Sequence, residues 1–106
     1  MKDAVVALLV TAPDEETGRR IARALVEERL AACVNVLPGV RSIYRWKGAV
    51  EEASEVMLVA KTRAERTGAL AARVRALHPY ELPEVVALPV TDGSRAYLRW
   101  VIAESR

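Results

Sequence analysis

Turn-forming and helix-breaking residues cut this chain into an order of segments that few folds accept. Ala4–Thr11 (AVVALLVT) is a continuous, valine-rich apolar run that stops at Pro13, and it reads as a buried strand. Asp14 then stands as an N-cap, with Glu15 and Glu16 in the first turn, where carboxylates complement the helix dipole. Ile21, Ala22, Ala24, Leu25 and Val26 recur at helical spacing, and Glu15–Arg19 and Glu16–Arg20 are i,i+4 pairs, so an amphipathic helix is predicted over residues 14–30. In Ala31–Leu37, Ala32, Val34 and Val36 alternate with Cys33 and Asn35, which is strand spacing. Pro38-Gly39 marks a bulge or bend, extension resumes over Val40–Trp46, and Lys47-Gly48 is a hairpin turn. The returning strand runs through Glu55–Lys61, and Thr62-Arg63-Ala64-Glu65 fits a capping box at the head of a second helix. That helix carries Leu70, Val74 and Leu77 on one face and is stopped by Pro79. Glu84–Val90 (EVVALPV) is a further short strand. Asp92-Gly93-Ser94 caps a last helix in which Tyr97, Leu98, Val101 and Ile102 share a side.

The order strand–helix–strand–strand–helix–strand, then a short helix, predicts an α+β, ferredoxin-like βαββαβ sandwich with a long β-hairpin. At 106 residues, positions 1–106 form a single domain large enough to bury a core without disulfides. Two helices cover one face of a four-stranded sheet and leave the other in question. One face of the second strand carries the small residues Cys33 and Asn35. Tyr44 and Trp46, two apart, project to one side of an arm longer than such a core requires. Aromatics on a free arm, in a chain with 52% apolar residues, call for a covering partner. The expectation is a homo-oligomer built on the open sheet face.

Charge and composition exclude several partners. The net charge is only +2 and neither half is a basic block, so no nucleic acid is expected. No apolar run approaches the ~20 residues that span a bilayer, so no membrane partner is expected. The start, Met1-Lys2-Asp3-Ala4, lacks the layout of a signal peptide, and the expected location is cytoplasmic. A single cysteine, Cys33, forbids an internal disulfide and a multi-cysteine zinc site. Thirteen arginines, no glutamine and one asparagine fit a heat-adapted source, or equally a GC-rich genome.

The fold hosts many functions and selects none. There is no phenylalanine and no Lys/Arg-Gly-aromatic segment for an RNA-stacking strand. Thr11–Asp14 (TAPD) lacks the glycines of an anion loop, and its acid repels phosphate. No P-loop or dinucleotide fingerprint occurs, and with one histidine no nucleophilic triad presents itself. The chain is therefore expected not to be an enzyme.

Four motifs occur in register: Ala31–Pro38 (AACVNVLP), Ser42–Gly48 (SIYRWKG), Glu55 ahead of Lys61-Thr62, and His78–Glu84 (HPYELPE), with Tyr97 and Trp100 following. Together they resemble the CutA family of divalent cation tolerance proteins over essentially the whole chain. The resemblance implies a heat-stable homotrimer with a PII-like architecture, sheets inside and helices outside. It implies a link to copper and other divalent cations, with no required cofactor and no established reaction. An alternative is a PII-like signalling protein holding a small anionic ligand between subunits.

Each candidate has two readings. Cys33 is a soft thiolate ligand for copper, or a small buried hydrophobe. His78 is an imidazole ligand, or a cation suited to a helix C-terminus. Glu84 is a hard ligand, or an ion-pair partner at the start of a strand. Glu51, Glu52 and Glu55 form an acidic cluster expected to be solvated. Lys61 holds an anion, or merely ends a strand. Tyr44, Trp46 and Trp100 are assigned to the subunit interface, because aromatics dominate interface cores, rather than to a ligand pocket.

Overall fold

The computed structural model describes residues 4–106; the Met1-Lys2-Asp3 start lies outside them. Four antiparallel strands form one sheet: β1 (Val5–Ala12), β2 (Cys33–Trp46), β3 (Ala49–Arg63) and β4 (Val86–Pro89), in the order β2-β3-β1-β4. Helices α1 (Glu15–Glu27) and α2 (Thr67–Leu77) cover one face, and α3 (Arg95–Glu104) follows β4. This is the predicted α+β, ferredoxin-like order.

The core lies between the sheet and α1/α2. Val6, Leu8, Val10 and Ala12 alternate along β1 and meet Leu58 and Ala60 of β3, with Ile21 and Leu25 of α1 and Leu70 and Val74 of α2 above them. Gly18 lets α1 sit close to the sheet: a Cβ there would lie 2.8 Å from Val56 Cγ2. A second, smaller cluster forms where Val101 of α3 packs on Val5 and Ala32.

Local chemistry explains most boundaries. Asp14 caps α1 by accepting a hydrogen bond from the Thr17 N–H at 2.7 Å. The helix ends at Glu27, not residue 30, because Arg29 takes a left-handed conformation (φ 60°) and the Leu30 and Ala31 N–H groups turn back to Leu25 O. Pro38-Gly39 forms a bulge within β2, with Leu37 opposite Met57, Val40 opposite Glu55, and Gly39 at φ 77°. Lys47 and Gly48 both have positive φ, as a two-residue type I′ hairpin turn requires.

Two further expectations need correction. The returning strand begins at Ala49 rather than Glu55, because its first half is hydrogen-bonded to β2 despite its polar composition. Thr62 caps nothing: it is a fully buried strand residue donating its hydroxyl to Leu30 O at 2.7 Å. A 3₁₀ turn, Ala64–Arg66, leads into α2 instead, without a side-chain cap.

Candidate functional site

Strand pairing sets out the open face row by row, since directly opposed residues point to the same side. Cys33, Lys61, Ala7 and Leu88 form one row; Asn35, Val59, Leu9 and Val86 the next; Leu37, Met57 and Thr11 a third. Beyond the bulge, Tyr44 and Trp46 stand opposite Glu51 and Ala49 on the same side of the arm. Leu37, Val86 and Leu88 remain 44%, 46% and 45% exposed. The face is apolar in its middle rows apart from Thr11, with a polar corner at Cys33, Lys61 and Asn35 and polar residues Glu55, Ser42 and Glu51 toward and along the arm.

At that corner, Cys33 Sγ lies 3.2 Å from Tyr97 Oη, and the Lys61 ammonium donates to Asn35 Oδ1. The contact with Cys33, followed by partial burial, pushes the Tyr97 hydroxyl up to about 12. Trp100 stacks obliquely beside Tyr97, their ring centroids 5.6 Å apart, and both aromatics stay more than two-fifths exposed. Cys33 therefore has a hydroxyl partner and is only partly buried.

His78 sits elsewhere. As C-cap of α2 it is buried, and its Nδ1 accepts the Tyr80 N–H at 3.1 Å. Nε2 must then carry the proton and donates it to Thr11 O at 2.7 Å. Both ring nitrogens are committed, so the imidazole is a neutral brace between β1 and the loop after α2. It is neither a cation at a helix end nor a ligand with a free lone pair.

Glu84 is exposed and forms no ion pair among the described residues. It belongs instead to a groove of about 710 Å³ between the hairpin and the Pro79–Glu84 loop, with Tyr44, Trp46, Glu55, Tyr80 and Glu81. The acidic cluster is not uniformly solvated. Glu51 and Glu52 are exposed, and Glu52 pairs with Arg41 at 3.0 Å. Glu55 is only 9% exposed and accepts the Tyr80 hydroxyl at 2.7 Å. Burial first, and this carboxylate second, raise the Tyr80 phenol well above its ordinary value.

The three proposed metal ligands are thus not gathered. Cys33 is level with Ala7 on β1, whereas His78 braces Thr11 four residues along it. Among the described residues no group of three or more histidine, cysteine or acidic side chains is placed to hold a metal ion. Within one chain these residues do not fit copper. Sequence reasoning missed Tyr80 and the burial of Glu55; the one available signal was their membership of two of the quoted motifs.

A ferredoxin-like domain with one apolar sheet face open and a long hairpin projecting past it is the class these observations define. The chain belongs to the CutA1 divalent ion tolerance protein family, whose pattern it matches over residues 6–104. It is 56% identical over 94 residues to the "Divalent-cation tolerance protein CutA" of Thermus thermophilus, covering 89% of this chain and 91% of that protein. It is 54% identical over 97 residues to human "Protein CutA", covering 92% of this chain but only 54% of the human protein. Solved structures agree: the divalent cation tolerance protein (Cut A1) from Thermus thermophilus superposes with a TM-score of 0.94 at 52% identity, over 96% of this chain and 99% of that one. CutA1 from Oryza sativa gives 0.94 at 42% identity, over 97% and 94%. No helix among the described residues is long and apolar enough to cross a membrane.

Proposed function

We propose that this chain is a non-enzymatic divalent-cation tolerance protein that works in the cytoplasm as a heat-stable homotrimer, with copper as its cation. The observation that carries the reading is the continuous apolar face of Leu37, Met57, Val59, Leu9, Val86 and Leu88, extended along the arm by Tyr44 and Trp46. A monomer that left this face in water would forgo roughly 25 cal/mol for each Å² of apolar surface it could bury. Packing three such faces together, with Trp100 at their rim, covers it. The name of the Thermus relative supports the cation link. Because one chain does not assemble three ligands, a copper site through Cys33 requires side chains from a neighbouring copy.

Light scattering on a sizing column should give about three times the 11.7 kDa chain mass. A concentration-independent monomer would refute the assembly. Copper titration of the wild type and of Cys33→Ser tests the cation: overlapping curves at micromolar metal would remove Cys33 as a ligand. Subcellular fractionation of the native host tests the location.

A further inference from the structure

The loop that joins β4 to α3 carries a reactive pair. Residues 90–94 have no regular structure, and Asp92 and Gly93 are exposed. The Val90 N–H is tied to Val5 O at 3.0 Å and the Leu98 N–H to Ser94 O at 2.9 Å, but among the described residues no main-chain hydrogen bond holds Thr91, Asp92 or Gly93. The Gly93 N–H instead donates to Asp92 Oδ1 at 2.8 Å, which keeps this nitrogen beside the carboxyl carbon of the residue before it. Glycine has no Cβ to obstruct an approach between the two, and its backbone follows the rotation that ring closure needs. Comparable residues are protected. Asp14 turns its carboxylate to the Thr17 N–H at the head of α1. Asn35 lies within β2 ahead of the stiff, branched Val36, and its amide oxygen is taken by Lys61.

We propose that Asp92-Gly93 is a site of spontaneous isoaspartate formation, and that the change loosens α3. The Gly93 nitrogen attacks Asp92 Cγ. The N–Cγ bond forms, the Cγ–OH bond of the protonated carboxyl breaks, and the hydroxyl leaves with the amide proton as water. Water then reopens the cyclic imide. Cleavage between the nitrogen and Cγ restores aspartate. Cleavage between the nitrogen and the main-chain carbonyl carbon leaves the chain running through Cγ, one methylene longer, with the former main-chain carbonyl as a free carboxylate. The step needs no oxidant or reductant. The longer link ends just before Ser94, whose hydroxyl caps α3 by accepting the Tyr97 N–H. Beyond that cap, α3 is held to the sheet by the small cluster of Val101 with Val5 and Ala32, so a displaced start has little to restrain it. The proposal does not rest on trimer formation.

Peptide mapping of the full chain, kept folded and warm for days in heavy-oxygen water, tests it, with isoaspartate counted by a purified isoaspartyl methyltransferase and its methyl donor. Expected are isoaspartate and heavy oxygen in the peptide that holds Asp92, at least tenfold above the peptide that holds Asp14. Asp92→Asn should convert faster, because an amide, unlike a carboxylate, is attacked without first taking up a proton. Gly93→Ala should convert several-fold more slowly, and it should fold, since the added Cβ would meet Leu98 at 3.5 Å, an ordinary contact. Trypsin should cut the converted chain after Arg95 or Arg99 several-fold faster than the unconverted one. An Asp92 peptide free of isoaspartate overturns the proposal. So does an Asp92 that converts in urea but not in the folded chain, since the fold then blocks ring closure. Equal cutting of the two forms by trypsin overturns the effect on α3.

Discussion

Tyr80 donates its hydroxyl to Glu55 Oε2 at 2.7 Å, fastening the loop after α2 to the root of the hairpin. Tyr80→Phe removes the only hydrogen-bond partner this buried carboxylate has among the described residues. Leaving such a group unpartnered costs about 1–3 kcal/mol, to be read as a lowered urea midpoint at unchanged slope. Adding Glu55→Gln should recover part of the loss, because a neutral amide is cheaper to leave unpaired. A single variant with wild-type stability would show that the contact contributes nothing.

Cys33 and Tyr97 form the second testable pair. A phenol pushed up to about 12 favours its protonated form in the folded chain, so its stabilisation is complete below the ordinary value near ~10 and is lost as pH rises toward 12. In Cys33→Ala, the largest cause of the shift is gone. Ultraviolet titration should then find one tyrosine ionising earlier, and alkaline unfolding should begin at lower pH. Superimposable titrations of the two proteins would count against the pairing.

Gly18→Ala inverts a familiar rule. Alanine in a helix interior is ordinarily favoured over glycine by about 1 kcal/mol. Here the added methyl would lie 2.8 Å from Val56 Cγ2 on the packed sheet, so the variant should be less stable than the wild type. Val56→Ala, itself a destabilising change, should make room, and Gly18→Ala should cost less in that background. Additive losses in thermal melts would disprove this coupling.

Asp14 is held below its ordinary carboxylate value chiefly by the Thr17 N–H it accepts. A depressed value means stability that is present above pH ~3.9 and lost as the pH falls through the lowered folded value. Asp14→Asn keeps a capping oxygen but should flatten that part of the acid limb of the stability–pH curve. An unchanged acid limb would mean that other carboxylates set it.

The proposed interface predicts a contrast between two substitutions. Leu37→Lys places a charge in the middle of the open face and should shift the mass toward that of a single chain. Trp46→Ala should keep the trimer but lower its melting temperature, by a few kcal/mol of stability as for aromatic truncation in a packed core. A Leu37→Lys protein of unchanged mass would move the interface elsewhere.

The fold was legible because each core strand and helix carries its own period. Leu8 and Val10, Ile21 and Leu25, Leu70 and Val74 recur at the spacing of the element they belong to, and all are fully buried. The first half of β3 was not legible, since Glu51, Glu52, Ala53 and Ser54 have no apolar rhythm. Their strand state comes from the partner across the turn. The sites were harder still. That His78 spends both nitrogens on Thr11 and Tyr80 depends on a contact 67 residues away in sequence, which no local pattern encodes. The same holds for Glu55, whose two neighbouring acids remain exposed while it is covered by the Pro79–Glu84 side of the groove.

The extra residue at Pro38-Gly39 gives β2 something like a frameshift. Before it, odd-numbered residues (Cys33, Asn35, Leu37) face the open side; after it, even-numbered ones (Val40, Ser42, Tyr44, Trp46) do. Ironed into an unbroken ladder, the same sequence would turn the arm over, and Arg41, Ile43 and Arg45 would face where Tyr44 and Trp46 face now. The bulge is thus a slack link. A chain that lost one residue between Leu37 and Tyr44 could straighten it, leave Leu37 opposite Met57 and Tyr44 opposite Glu51, and show a neighbour the same two aromatics. A second loss would find no slack to draw on. Lineages carrying this arm should therefore tolerate one deletion there far more readily than two.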